Sequence, residues 1–213
     1  MQRIYLLSIT LLCSLYMLGQ SPAIGQLFMS VPAEYLWLTQ ADRSSLLVNY
    51  NEKNIDTIQN SLSGTSRILI LDDTTKHLLI ETSSKGRFEL QLLNNDGQPC
   101  YAIIRTTCAP ACDSRIECFD THWNRLPIDP PALKPEDFLL PTVSGEDKAL
   151  AVQLLTPLFV SLSFDKKGFL DATCNAKQFL SDDNWKKLNP LLPPQALNFT
   201  LQNGRWVKTS DTK

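Results

Sequence analysis

The side chains in this sequence that could do chemistry are few, and most crowd into one stretch. Cys108-Ala-Pro-Ala-Cys112 holds two thiols with three residues between them, and Asp113, Ser114, Asp120 and His122 follow closely. A hydrolase triad needs a nucleophilic serine, an imidazole to take its proton and a carboxylate to orient the imidazole. These four residues supply every type. Their setting argues against the role, because Asp113-Ser114-Arg115 lacks the flanking glycines of a nucleophile elbow. A redox thiol pair has two intervening residues and a first thiol stabilised at a helix N-terminus. The pair here has three and sits in a strand-turn-strand pattern. Metal chemistry is equally thin, since the only histidines are His77 and His122 and no paired metal-ligand spacing occurs. No glycine-rich phosphate loop is present either. Neither a metal nor a cofactor is expected.

Other groups have plainer uses. The acid pairs Asp72-Asp73, Glu136-Asp137, Glu146-Asp147 and Asp182-Asp183 fall where turns and helix starts want carboxylates. Trp37, Trp123, Trp185 and Trp206 could line a carbohydrate site, but each lies in a pattern that predicts core packing.

The elements around the cysteines predict a hairpin. With Ala109-Pro110-Ala111 as the loop, Cys108 faces Cys112, Thr106 faces Ser114, Ile104 faces Ile116 and Ala102 faces Cys118. Alternation puts all of these on one face of the sheet. Opposed residues come close enough for a Cys108–Cys112 disulfide. Cys100 is diagonal to Cys118, so a Cys100–Cys118 bond requires a bulge that shifts the register. Cys174 is then the free thiol.

Along the whole chain the pattern is α+β. Residues 1–25 read as a cleaved signal peptide: Arg3, an apolar run from Ile4 to Leu18, and the small-x-small triplet Ala23-Ile24-Gly25. Cleavage exposes the cysteines to an oxidising compartment, where disulfides come first. Residues 26–126 predict N-terminal helices followed by an antiparallel meander of about five strands. Ser30 is expected to cap a first helix carrying Tyr35, Leu36 and Leu38, and Asp42 to cap a second with Leu46, Leu47 and Tyr50. Residues 127–145 form a proline-rich connector. Residues 146–208 predict a helix and then a hairpin-helix-hairpin unit, with Ser181 as a cap and Asn203-Gly204 as a two-residue turn. Residues 209–213 read as a disordered polar tail.

Charge narrows the partners. A formal net charge of −2 makes a poor nucleic-acid binder, because such binders need a basic face. After the leader no apolar run reaches membrane-spanning length.

Several stretches together resemble a known family. Leu38-Thr-Gln-Ala-Asp-Arg-Ser-Ser-Leu46, Cys108-Ala-Pro-Ala-Cys-Asp-Ser114, Asp120-Thr-His-Trp-Asn-Arg-Leu-Pro127 and Asn203-Gly-Arg-Trp206 are similar, in order and spacing, to the exported Bacteroidales family called domain of unknown function 3256. The resemblance implies a periplasmic or cell-surface protein of a Gram-negative bacterium, and it brings no catalytic residues.

The expected function is therefore a non-enzymatic envelope or periplasmic module that binds a partner protein or envelope component through the hairpin tip at Ala109–Ala111. A periplasmic hydrolase of glycan or peptide, using Asp113, Ser114, Asp120 and His122, is the alternative. A thiol-disulfide protein is the third.

Overall fold

The structure is a computed structural model that describes residues 22–52 and 57–209. The leader up to residue 21 and the tail from residue 210 lie outside the described residues.

Three layers stack on one another. Helices α1 (Ile24–Ser30) and α2 (Gln40–Glu52) cover one face of a six-stranded antiparallel sheet. Its strands run in sequence order: β1 (Ile58–Gln59), β2 (Thr65–Asp72), β3 (His77–Ser83), β4 (Gly86–Asn95), β5 (Gln98–Cys108) and β6 (Cys112–Phe119). The opposite face carries the second half of the chain. That half holds α3 (Gly145–Leu154), β7 (Val160–Phe164), β8 (Leu170–Cys174), α4 (Asp182–Leu188), β9 (Leu197–Gln202) and β10 (Arg205–Lys208). Its four strands form a separate antiparallel sheet in the order β10-β9-β8-β7. The class is α+β, with the predicted meander extended by the two-residue β1.

Strand alternation divides the core in two. On β5, Tyr101 and Ile103 point to the helices and join Ile24, Phe28, Leu46, Leu78 and Leu90. Ala102 and Ile104 point the other way, with Ile116 and Cys118, against Leu162, Phe164, Leu170 and Phe199 of the second sheet. A sheet covered on both sides needs apolar residues on both faces, and β5 is accordingly buried from Cys100 to Ile104. The β5–β6 register is the one the spacing predicts, with Ala102 opposite Cys118 and Cys108 opposite Cys112. The last hairpin turns on Asn203 and Gly204, both at positive φ (50° and 69°), as a type I′ turn requires. Between the halves, Leu126, Ile128, Leu133 and Leu139 pack against the second core, and Phe138 is buried in it.

The N-terminal helices differ from expectation. Ser30 ends a helix instead of starting one, and residues 31–38 run as irregular chain. Thr39, not Asp42, caps α2: its hydroxyl accepts from the Asp42 amide at 3.1 Å, while its own amide donates to Asp42 Oδ2 at 2.9 Å. That reciprocal pair is a capping box with Asp42 at the third helical position. Asp42 also accepts from the Ser61 amide and hydroxyl. Burial pushes its carboxyl up, but the hydrogen bonds from Ser61 and Thr39 outweigh burial and hold it below the ordinary aspartate value.

Arg43 explains why the segment before α2 is not helical. Its side chain is only 1 % exposed. The guanidinium donates to the carbonyls of Val31, Leu36 (3.0 Å), Leu38 (3.0 Å), Phe28 and Met29. In a helix those carbonyls would bond amides further along the chain. Here they turn inward on one planar fork of donors, a shape lysine lacks.

Two predictions follow from this corner. Arg43→Met strips several buried carbonyls of their donor at once, each worth about 1–3 kcal/mol. Urea unfolding should show a loss on the order of 3–5 kcal/mol, and a loss under about 1 kcal/mol would refute the role. The Asp42 carboxyl lies lower folded than unfolded. Its stabilisation is thus complete above the unfolded value of about 4 and fades as pH falls through the folded one. Asp42→Asn should flatten the acid limb of a stability-pH curve.

Candidate functional site

The residues that looked catalytic do not converge. Ser114 and Asp120 lie six positions apart along one strand and its exit, on the order of 20 Å. Asp120 closes a turn by accepting from the His122 and Asn124 amides (2.8 and 2.9 Å) and from Asn124 Nδ2. Those bonds, Asn124 foremost, hold its carboxyl below the usual range. His122 is exposed beside Thr121.

Asp113 and Ser114 have a different task. Strand β7 is the edge of the second sheet, and its outward amides at Val160, Leu162 and Phe164 meet side chains instead of another strand. Val160 N–H donates to Asp113 Oδ1 (3.1 Å), Leu162 N–H to Ser114 Oγ (3.0 Å) and Phe164 N–H to Glu89 Oε1 (2.7 Å). Ser114 is braced by Thr106 (2.7 Å), and Glu89 by His77 Nε2 (2.7 Å). His77 and Glu89 are both buried. These contacts bolt the two sheets together.

The thiols are paired or shielded by burial. Cys108 and Cys112 are disulfide-bonded, with Cα atoms 3.8 Å apart. Cys100 and Cys118 remain free, as does Cys174. The bulge a Cys100–Cys118 bond requires is missing: β5 and β6 pair without a register shift, so Cys118 faces Ala102 and Cys100 stays diagonal. Burial pushes the Cys100 thiol up to about 11 and the Cys118 thiol up to about 12, leaving almost no thiolate near neutrality. Burial raises Cys174 as well.

The hairpin tip is docked on the second half. Ala109 and Pro110 are exposed, but Ala111 is buried. Cys112 is gripped from across the chain: its amide donates to Gln178 Oε1 (2.7 Å) and its carbonyl accepts from Asn175 Nδ2 (2.6 Å). The tip serves as a clamp, so it is a poor free contact surface.

The surface with the features of a binding site takes in Asp113 and Ser114 of the expected set, beside groups that residue patterns did not bring together. On the helix side of the first sheet, α1 and α2 leave the ends of β4–β6 uncovered. The loop before α2 walls this opening to form a cleft of about 720 Å³, within the ordinary range for ligand sites. Trp37 stands at its edge, 75 % exposed. It was expected to pack in the core; its neighbours are Leu36 and Leu38. Those two are buried, and in this non-helical segment Trp37 is turned outward between them. Trp123, Trp185 and Trp206 do pack against the cores.

Lys85, Arg87, Arg105 and Arg115 line the same cleft, with Asp113 as its acid. Arg105 pairs with Glu117 and lies 6.0 Å from the centre of the Tyr35 ring, a stacking that fixes its guanidinium. Arg87 makes a looser pair with Glu81 at 3.8 Å. Arg115 is exposed. The cluster concentrates positive charge on an acidic protein.

Among the described residues, no three His, Cys, Asp or Glu side chains gather as a metal site would need. No described helix is long and apolar enough to cross a membrane.

Fold and site together define a class: a two-sheet α+β module joined by side-chain-to-edge hydrogen bonds, with an aromatic, basic cleft on its helix side. The chain belongs to the family described as Protein of unknown function (DUF3256), which it matches over residues 17–206. It is also similar to a solved domain of an uncharacterized protein from Porphyromonas gingivalis W83, at 22% sequence identity and a TM-score of 0.71. The match covers 89% of this chain and all of that one, and it speaks to fold alone. No curated protein matches.

The assignments above make a paired prediction. Ser114→Ala removes the acceptor for a β7 amide and should cost about 1–2 kcal/mol in chemical denaturation. His122→Ala should stay within about 0.5 kcal/mol of the parent. The reverse order would mean that the sheet joint has been misassigned.

Proposed function

We propose that this protein is exported and acts outside the cytoplasm as a non-catalytic binding module, with the Trp37 cleft holding an acidic glycan. The observation that carries the reading is the pairing of a largely exposed indole with a basic cluster in one cleft. An aromatic face packs against the apolar C–H face of a sugar ring. Guanidinium groups bind carboxylate or phosphate in a planar, two-bonded geometry. A cleft with both suits a ring that carries a negative group. Export is supported by the leader pattern of the first residues and by the Cys108–Cys112 disulfide, since such bonds persist in oxidising compartments. The envelope of a Gram-negative cell supplies charged glycans there.

The test is calorimetric titration with oligogalacturonate, an uncharged dextran oligomer and poly-glutamate. Oligogalacturonate should bind, more weakly as salt rises, while dextran gives no heat. Trp37→Ala and Arg115→Glu should each weaken binding at least about tenfold, or roughly 1.4 kcal/mol. Equal binding of poly-glutamate would make the ligand an acidic peptide and overturn the glycan assignment. Failure of all three would overturn the site.

A further inference from the structure

The cut expected after Gly25 conflicts with the packing of the residues around it. Ile24 is wholly buried, at the centre of the core that it shares with Leu27, Phe28 and Leu46. Gly25 lies against α2, where an added Cβ would sit 3.5 Å from a Leu47 methyl. The Ile24 amide donates to Asp73 Oδ1 at 2.8 Å, joining the start of α1 to the β2–β3 turn. Cleavage after Gly25 would remove an apolar side chain whose full burial stabilises by roughly 1.5–3 kcal/mol, and the Asp73 bond with it. Two residues upstream the sequence holds a second small-x-small triplet, Ser21-Pro22-Ala23. Its small residues stand where a leader peptidase needs them, and a cut there leaves the core intact.

We infer that the leader is removed by hydrolysis of the Ala23–Ile24 bond, so that the mature chain begins at Ile24 and its α-ammonium pairs with the Asp73 carboxylate. The inference rests on the export part of the proposed function and is independent of the cleft. In the step, the peptidase adds water: the hydroxyl goes to the Ala23 carbonyl carbon and a proton to the Ile24 nitrogen. The freed amine takes a further proton from solvent at neutral pH. The Ile24 amide already donates to an ionised acceptor, and the ammonium turns that bond into an ion pair in the same place.

Asp73 is suited to receive the ammonium. The Ile24 amide is the largest influence holding its carboxyl below the usual range, followed by Lys76, whose ammonium is 3.1 Å from the same oxygen. A positive charge at a helix start opposes the helix dipole, and a carboxylate at this position offsets that. The Gln26 and Leu27 amides bond to the Ala23 carbonyl in the uncut chain. After the cut they become ordinary unpaired first-turn donors.

The full chain, expressed with its own leader in a Gram-negative host and recovered from the periplasm, should give the N-terminal sequence Ile-Gly-Gln-Leu-Phe. A chain beginning at Gln26, at any residue before Ile24, or at uncut Met1 overturns the inference. Acylation of the α-amine near neutral pH should be severalfold slower in the mature protein than in Asp73→Asn, and Asp73→Glu should restore the slow rate. Equal rates across the three proteins would overturn the ion pair. Neither readout involves a glycan, so an empty calorimetric titration would leave this result standing.

Discussion

The open edge of β7 is the constraint around which the two halves are arranged. An unpaired strand edge presents a row of amides that must find acceptors or remain in water. In this protein those at Val160, Leu162 and Phe164 are taken into the interior and met by Asp113, Ser114 and Glu89. The three acceptors come from two different strands of the first sheet, so the second sheet is set on the first at one angle and one depth. His77 and Thr106 fix the acceptors in turn. The apolar layer between the sheets supplies most of the burial, but apolar contact has no direction. The directed bonds select the arrangement.

The joint also occupies groups that a catalytic triad would need free. A serine able to attack a substrate needs a free lone pair and a base within reach. Ser114 Oγ already accepts from the Leu162 amide and exchanges a hydrogen bond with Thr106. The groups that would complete a triad lie at the other end of the strand, where Asp120 is occupied in closing a turn. The disulfide at the hairpin tip likewise sits next to a clamp, held by Asn175 and Gln178.

Arg43 plays the corresponding part on the helix side. By collecting the carbonyls of Val31, Leu36 and Leu38, it holds residues 31–38 out of helical form and bends them along the sheet ends. Burying a guanidinium costs solvation, and desolvation lowers its pKa. In return the loop gains a fixed shape, which places Tyr35 against Arg105 and turns Trp37 to solvent. The cleft thus follows from a buried charge one layer below it.

Much of the fold was legible from residue pattern alone. Alternating apolar residues marked the strands, Ser181 marked a helix start by accepting from the Asn184 amide, and Asn203-Gly204 marked a hairpin. The spacing of Cys100 to Cys118 was enough to set the β5–β6 register. These are local matters, governed by side-chain period and turn geometry within a few residues. What the residues do could not be read the same way. Ser114 and Leu162, or Arg43 and Val31, are far apart in the chain, and nothing in either neighbourhood names the partner. Trp37 reads as core until the backbone is known to be irregular there. Sequence determined the strands, their hairpin turns and the β5–β6 register, because each follows from its own residues. Tertiary structure decided which polar groups are consumed in joining those elements and which are left facing solvent.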